Sequence, residues 1–372
     1  MGSKTFTRIA YTEATRGITS DGPVTKKAEQ QARHTGKLNQ LVDPSGFGAI
    51  RRCLPRVDKQ NNGFYLLTIG TPMPIETRLD TTNSMGGNVD VALRVLPNNY
   101  ELCSEVLPGY DPQIATGIFG DVDDCFVLCR PQFEMDAEKI VEQLTLMVPE
   151  RAGGDTPEDP HYGLFGAAYL TAAYIHRIGL KGYDFTVSDA PARELLDAKQ
   201  LKRIFGDDVF DKVKENGYSN IIASNLPTTT EVVQDLLKIS HAFFLQVGEN
   251  GMTTRFWQSV FGKNRVVVLP STELMPQVQA TIIGLTEGTL SLLNVEEFLK
   301  KNNVNPIDAQ KIVKSVANIP IGAQAALPNF GKRPQKGDLF REKTDLWPID
   351  PEKVSQLITS DQQTTGEPIT WL

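Results

Sequence analysis

The feature that most constrains this chain is an alternation of two apolar periods. Between Gly63 and about Leu290, short strand-like runs give way repeatedly to segments with apolar residues at helical spacing. "FYLLTIG" and "PIETRLD" read as two strands separated by "TPMP", and "QIATGIFGD" as a third. "CFVLCR" follows as an antiparallel neighbour with Cys125 and Cys129 on one face, and "YDFTVSD", "AFFLQVG" and "RVVVLP" are further strands. Between them, Val89, Ala92, Leu93 and Leu96 mark one helical face, and Ala137, Ile140, Val141, Leu144 and Val148 another. "HYGLFGAAYLTAAYIHRIG" reads as one helix that is apolar nearly all round, with Pro160 in its first turn and Gly179 at its end. Its Gly163 and Gly166 allow close packing on a sheet. "TTTEVVQDLLKIS" opens with a capping-box spacing, Thr228 to Glu231. This order predicts an α/β fold: a doubly wound, mostly parallel sheet with helices on both faces.

The flanks read differently. Residues 1–62 are expected to form a basic extended arm, residues 63–290 the α/β domain, 291–328 a helical extension and 329–372 an extended tail. Residues 1–60 hold eleven Lys/Arg against five Asp/Glu, although the whole chain carries a net charge of −7. Such an arm can meet nucleic acid, an acidic partner or its own acidic body. It lacks the interleaved aromatics of single-strand binders, which makes nucleic acid the weaker expectation. No run approaches the roughly 18 apolar residues of a membrane span, and "MGSKTFTRIAYTEATRG" has no apolar signal region. The four cysteines form no zinc set, so a cytoplasmic protein with reduced thiols is expected.

Three of the expected strands end on acids: Asp80, Asp121 and Asp189. Doubly wound sheets place their functional loops at the carboxyl ends of strands, and the loop "GGDTPED" leads from the same edge. Together these loops offer Asp80, Thr82, Ser84, Asp121, Thr156 and Asp189, a set made only of hard oxygen donors. Such a set suits Mg²⁺, which keeps several waters and needs one or two carboxylates.

At these loops the sequence resembles the von Willebrand factor type A domain, over roughly residues 63–290. The Asp-x-Ser/Thr-x-Ser turn of that family's metal-ion-dependent adhesion site matches "DTTNS" as Asp80, Thr82 and Ser84. Its later threonine matches Thr156 in "GGDTPED", and its late aspartate matches Asp189 in "FTVSDAP". The flavour of these motifs is similar to intracellular members, such as the domain accompanying alpha-type kinases. The resemblance implies a Rossmann-like fold and a Mg²⁺ (or Mn²⁺) held by Asp80, Thr82, Ser84, Thr156 and Asp189. Asp121 and Asp123 are then candidates just behind the metal. It further implies a metal-dependent protein-protein interaction module, not an enzyme, that captures a Glu or Asp of a partner. Such modules serve as adaptors or subunits of larger assemblies, in some cases beside an AAA+ ATPase.

Two alternatives stand beside it. The first is an assembly protein whose metal site is vestigial and whose arm and tail make the contacts. The second is a haloacid-dehalogenase-like phosphatase with Asp80 as nucleophile. Those enzymes place a second Asp two positions on, where this chain has Thr82. The histidines His34, His161, His176 and His241 sit in no nucleophile motif, and no phosphate-binding P-loop occurs. Glu158 and Asp159 read as acids favoured by a helix N-terminus.

Overall fold

The structure, a computed structural model, describes residues 24–151, 153 and 157–350. Its centre is a six-stranded sheet: β1 (Thr71–Asp80), β2 (Tyr110–Phe119), β3 (Leu128–Cys129), β4 (Gly182–Ser188), β5 (Ser240–Gln246) and β6 (Val266–Val268). The spatial order is β3-β2-β1-β4-β5-β6. All pairs are parallel except β2 with β3. This is a doubly wound α/β fold, as the alternation predicts, and its winding reverses between β1 and β4.

Burial on both faces follows from strand alternation. Phe243 and Leu245 of β5 enter one apolar core, and Ala242 and Phe244 enter the other. The first core is covered by α1 (Asn88–Val95), α2 (Asn99–Val106), α3 (Ala137–Thr145) and α8 (Met275–Glu287). Residues of α9 (Val295–Lys301) and α10 (Pro306–Ser315) join the same cluster. The second core lies under α4 (Pro160–Tyr169), α5 (Ala198–Phe205), α6 (Thr229–Ile239) and α7 (Gly251–Phe261). The Thr228–Glu231 capping box is present at the start of α6.

β1 departs from its expected form in two ways. The strand runs through "TPMP", whereas Tyr65–Leu67 belongs to a separate three-stranded sheet with Val57–Lys59 and Leu339–Phe340. Pro72 and Pro74 are tolerated because β1 pairs with β4 only from Ile75 to Leu79, so the proline stretch has a pairing ladder with β2 alone. All ten β1 residues are buried, including Glu76 and Arg78. Arg78 grips Asp184 with both guanidinium nitrogens and touches Thr186, while Arg130 holds Glu76 at 2.8 and 3.0 Å. Burial pushes the Glu76 carboxyl up, but Arg130 and Arg78 more than offset it and leave the group below its ordinary value.

That ionic layer explains the glycines of α4. A Cβ on Gly163 would stand 2.5 Å from Cδ of Arg78, and one on Gly166 would stand 3.3 Å from Cδ of Arg130. The small residues make room for arginines lying between helix and sheet, and the whole of α4 is buried. The helix is shorter than its apolar run suggests. It stops at Tyr169, Thr171–Ala173 pairs in parallel with Arg51–Cys53, and a short turn of helix follows at Tyr174–Arg177.

Parts of both flanks are woven into this body. Ala28, Ala32, Val42 and Cys53 join the first core. Arg51 is buried and donates to the carbonyls of Asp43, Gly46 and Arg130. Arg56 forms a two-pronged pair with Asp111. Two of the arm's cations are therefore spent on the protein itself. Cys129 is buried but Cys125 is exposed; only Leu128–Cys129 is strand, so the two thiols do not share a face. Among the described residues, no helix is long and apolar enough to cross a membrane.

Candidate metal centre

The turn after β1 is shaped by its own side chains. Asp80 ends the strand fully buried, and its Oδ1 accepts from the backbone N–H of Thr82 at 2.8 Å and from Thr82 Oγ1 at 2.7 Å. Oδ2 accepts from Ser188 Oγ, 2.6 Å away at the end of β4. Thr82 Oγ1 lies 3.2 Å from Ser84 Oγ, which donates to Asp189 Oδ1 at 2.9 Å. Asp80, Thr82, Ser84 and Asp189 thus form one chain of short contacts across the switch point between β1 and β4. The buried end is Asp80, and the solvent end is Ser84 with the partly exposed Asp189.

Two contacts from α7 fix the Asp189 loop. Thr253 Oγ1 donates to the Asp189 carbonyl at 3.0 Å, and Trp257 Nε1 donates to the Ala190 carbonyl at 2.8 Å. Trp257 is itself stacked on Phe244 of the second core. On the other side Gly86, at φ +50°, turns the chain from the Ser84 turn toward α1, and a side chain there or on Gly87 would meet nothing within 4 Å. Both glycines border open space beside the turn.

Thr156, with Ala152, Gly154 and Asp155, lies outside the described residues. The described ends of its loop both face the turn. A Cβ on Gly153 would stand 3.4 Å from Cβ of Thr82. At the other end, burial raises the Glu158 carboxyl to about 8, Asp80 and Asp121 add to the rise, and a hydrogen bond with Thr82 opposes it. Arg151, at φ +53°, anchors the loop's start through pairs with Glu29 at 3.1 Å and Asp90 at 2.8 Å.

The acids near the helix start are more than a helix-end preference. Glu158 and Asp159 are both buried. The Asp159 side chain does not cap α4; its Oδ2 accepts from the Val122 N–H at 2.7 Å and pairs with Arg193 at 2.7 Å. Arg193 also reaches Asp121 at 3.4 Å. Burial lifts Asp159 to about 7, and its contact with Asp121 adds to the rise. Asp121 is buried beside this group, whereas Asp123 is exposed. His161 is buried, and burial drops its pKa to about 3, so it is neutral. Glu158, Asp159 and Arg193 carry no motif of their own; the one local signal is that "PEDP" places two acids before a helix that is buried all round.

The donor chemistry fits a hard divalent cation. Two carboxylates and two hydroxyls converge, and no Lys or Arg among the described residues pairs with Asp80. Burial lifts Asp80 to about 6 against the hydrogen bonds from Ser188 and Thr82, and Asp189 adds to the rise. A nearby cation would supply the missing countercharge. Among the described residues, no three His, Cys, Asp or Glu side chains converge as a metal cluster, so hydroxyl ligands are essential to the fit.

The fold and this turn define a doubly wound α/β protein with an oxygen-rich turn at its switch point. No protein-family model and no curated protein sequence matches the chain. Solved structures similar to it include the proximal thread matrix protein 1 of the mussel byssus, at 10% identity and TM-score 0.34, with 58% of this chain and 48% of that one covered. A von Willebrand factor type A protein from Catenulispora acidiphila matches at 10% identity and TM-score 0.34, covering 60% and 45%. The pilus adhesin SpaC from Lactobacillus rhamnosus GG matches at 10% identity and TM-score 0.36, covering 63% and 34%. This chain spans less than half the length of each of these structures.

Proposed function

We propose that this protein is a metal-dependent protein-interaction module. Asp80, Thr82, Ser84 and Asp189, with Thr156 from the neighbouring loop, hold a Mg²⁺ (or Mn²⁺) at the switch point. The ion keeps an open position toward solvent, and a Glu or Asp side chain of a partner protein fills it. The observation that carries this reading is the continuous chain of contacts from buried Asp80 through Thr82 and Ser84 to Asp189. It spans two strands and two loops, and it ends at the surface. The role of Asp80 in this scheme is charge without contact: buried behind Thr82, it strengthens the site while the hydroxyls face the ion.

The same burial disfavours nucleophilic catalysis by Asp80. A carboxylate with no exposed surface, already accepting three hydrogen bonds, offers no oxygen for in-line attack on a phosphate. The module therefore works by binding, as an adaptor or subunit of a larger intracellular assembly. Three buried thiols, Cys53, Cys103 and Cys129, suit a reducing compartment. Titration of Mg²⁺ or Mn²⁺ into wild type and an Asp80→Ala/Asp189→Ala variant tests the site by calorimetry. Saturable binding to wild type alone is expected; equal heats from both proteins would end the proposal. Partner retention on the immobilised protein, lost on adding EDTA, is the corresponding functional readout.

A further inference from the structure

Among the described residues, β6 is the last strand of the sheet and pairs only with β5. The Leu269 N–H bonds the Gln246 carbonyl at 2.8 Å, toward β5. In a parallel ladder alternate residues turn both backbone groups to the same side. Val267 therefore faces β5 with Leu269, and Val266 and Val268 direct their N–H and C=O groups outward. Both valines are half-buried and line a cleft of about 800 Å³. Lys311 and Lys314 of α10 line the same cleft. An open strand edge beside a cleft is where an extended peptide can join a sheet.

The cleft adjoins the metal centre. Asn88 and Thr254 line it. Asn88 follows the glycines of the Asp80 turn, and Thr254 follows Thr253, which holds the Asp189 carbonyl. Its charge is opposite to that of the chain as a whole. Lys311 and Lys314 are exposed in it, against one acid, Glu249, among its described lining residues. Lys311 also holds Asp308 at 2.9 Å, whereas Lys314 forms no ion pair among the described residues. A basic cleft on a protein of net charge −7 selects an acidic occupant.

We infer that an extended acidic segment of the partner adds to β6 as a seventh strand, in the cleft that β6 and α10 line. This rests on the carboxylate-capture reading for the partner's identity, but the strand addition itself needs no metal. Main-chain bonds to Val266 and Val268 supply affinity, and Lys311 and Lys314 select negative side chains.

The test uses the full-length chain, ¹⁵N-labelled, with a capped peptide of alternating Glu and Val and a matching Lys–Val peptide as control. Backbone amide exchange is read in Mg²⁺ and in EDTA. The acidic peptide is expected to slow the Val266 and Val268 amides by about ten-fold or more in both buffers, with Val267 unchanged. Val268→Pro removes the outward donor and is expected to abolish the slowing while leaving the β5 ladder intact. Should that variant fail to fold, Lys311→Glu/Lys314→Glu is expected to lose the response to the acidic peptide and gain one to the basic peptide. No slowing with the acidic peptide, equal slowing by both peptides, or no effect of the charge reversal would overturn the inference. So would amides already protected without peptide and released by deleting residues 1–23 or 351–372, since the chain's own segment would then fill the cleft. Slowing that persists in EDTA while Asp80→Ala/Asp189→Ala matches wild type in metal titration would overturn metal capture alone.

Discussion

Asp80 is a buried carboxylate whose donors are an amide and two hydroxyls, with no cation among the described residues to balance it. Its raised pKa carries a definite sign. Without metal, the stability it contributes is complete below its ordinary value of 3.8 and lost as pH rises through about 6. The loss across that window is roughly 3 kcal/mol. Asp80→Asn keeps an acceptor for Thr82 and removes the charge. In metal-free buffer it is expected to flatten the fall in stability between about pH 4 and about pH 7.5, measured by urea unfolding; an unchanged slope would refute it. The same variant is expected to lose the stabilisation that the proposed Mg²⁺ site would give. Glu158, lifted to about 8, holds its proton near neutral pH in the metal-free protein. Mg²⁺ uptake at neutral pH is therefore expected to release protons, seen as a dependence of calorimetric heat on buffer ionisation enthalpy. Glu158→Gln should weaken that dependence, and identical heats in all buffers would contradict it. The Asp80-x-Thr82-x-Ser84 spacing was legible because one turn contains it. Glu158 and Arg193 were not legible, since their burial depends on loops distant in sequence.

At the scale of elements, α4 ties the helical layer to the ionic layer of the sheet. Exposed Gly→Ala changes in helices stabilise by up to about 1 kcal/mol. Gly163→Ala is expected to do the reverse, because the new Cβ would meet Arg78 at 2.5 Å, and Arg78 is held in place by Asp184 and Thr186. A cost of about 1–3 kcal/mol follows from such overpacking, readable as a lower urea midpoint; a gain in stability would show that Arg78 moves freely. The sequence identified the helix but overran its end. "GAAYLTAAYI" has no period that marks Thr171–Ala173 as strand, and that strand exists because Arg51–Cys53 pairs with it. In β1 the alternation of Glu76 and Arg78 with Ile75, Thr77 and Leu79 does not show that α4 lies over the polar face, where Gly163 borders Arg78. The proline pair reads as a break, but the shorter overlap of β4 leaves that stretch of β1 without a second pairing ladder.

For the whole molecule, the proposed metal would be linked to the fold, because the residues proposed to hold it come from both sides of the switch point. An ion that binds only the folded state at a hundred times its dissociation constant adds about 2.7 kcal/mol to stability. Thermal unfolding with and without Mg²⁺ is expected to show this rise in wild type and not in Asp189→Ala. A Mg²⁺ effect of the same size in the variant would place the ion elsewhere. The site's rigidity has a global source as well: Asp189 is held by α7 through Thr253 and Trp257, and Thr82 borders the loop that Arg151 anchors to Glu29 and Asp90.

The sequence by itself determined what is set by local period and local spacing. It specified the α/β alternation, the capping box of α6, the acids that end strands, and the oxygen-rich turn at Asp80. Only the tertiary structure decided the strand order, which brought Ser188 and Asp189 beside a turn more than a hundred residues away in sequence. It also decided which charges are buried. Periodicity reports which face of an element is apolar, but it carries no information about what covers the polar face. That is why the sequence alone does not reveal that Glu76, Arg78, Glu158 and Asp159 stand in the interior of the fold.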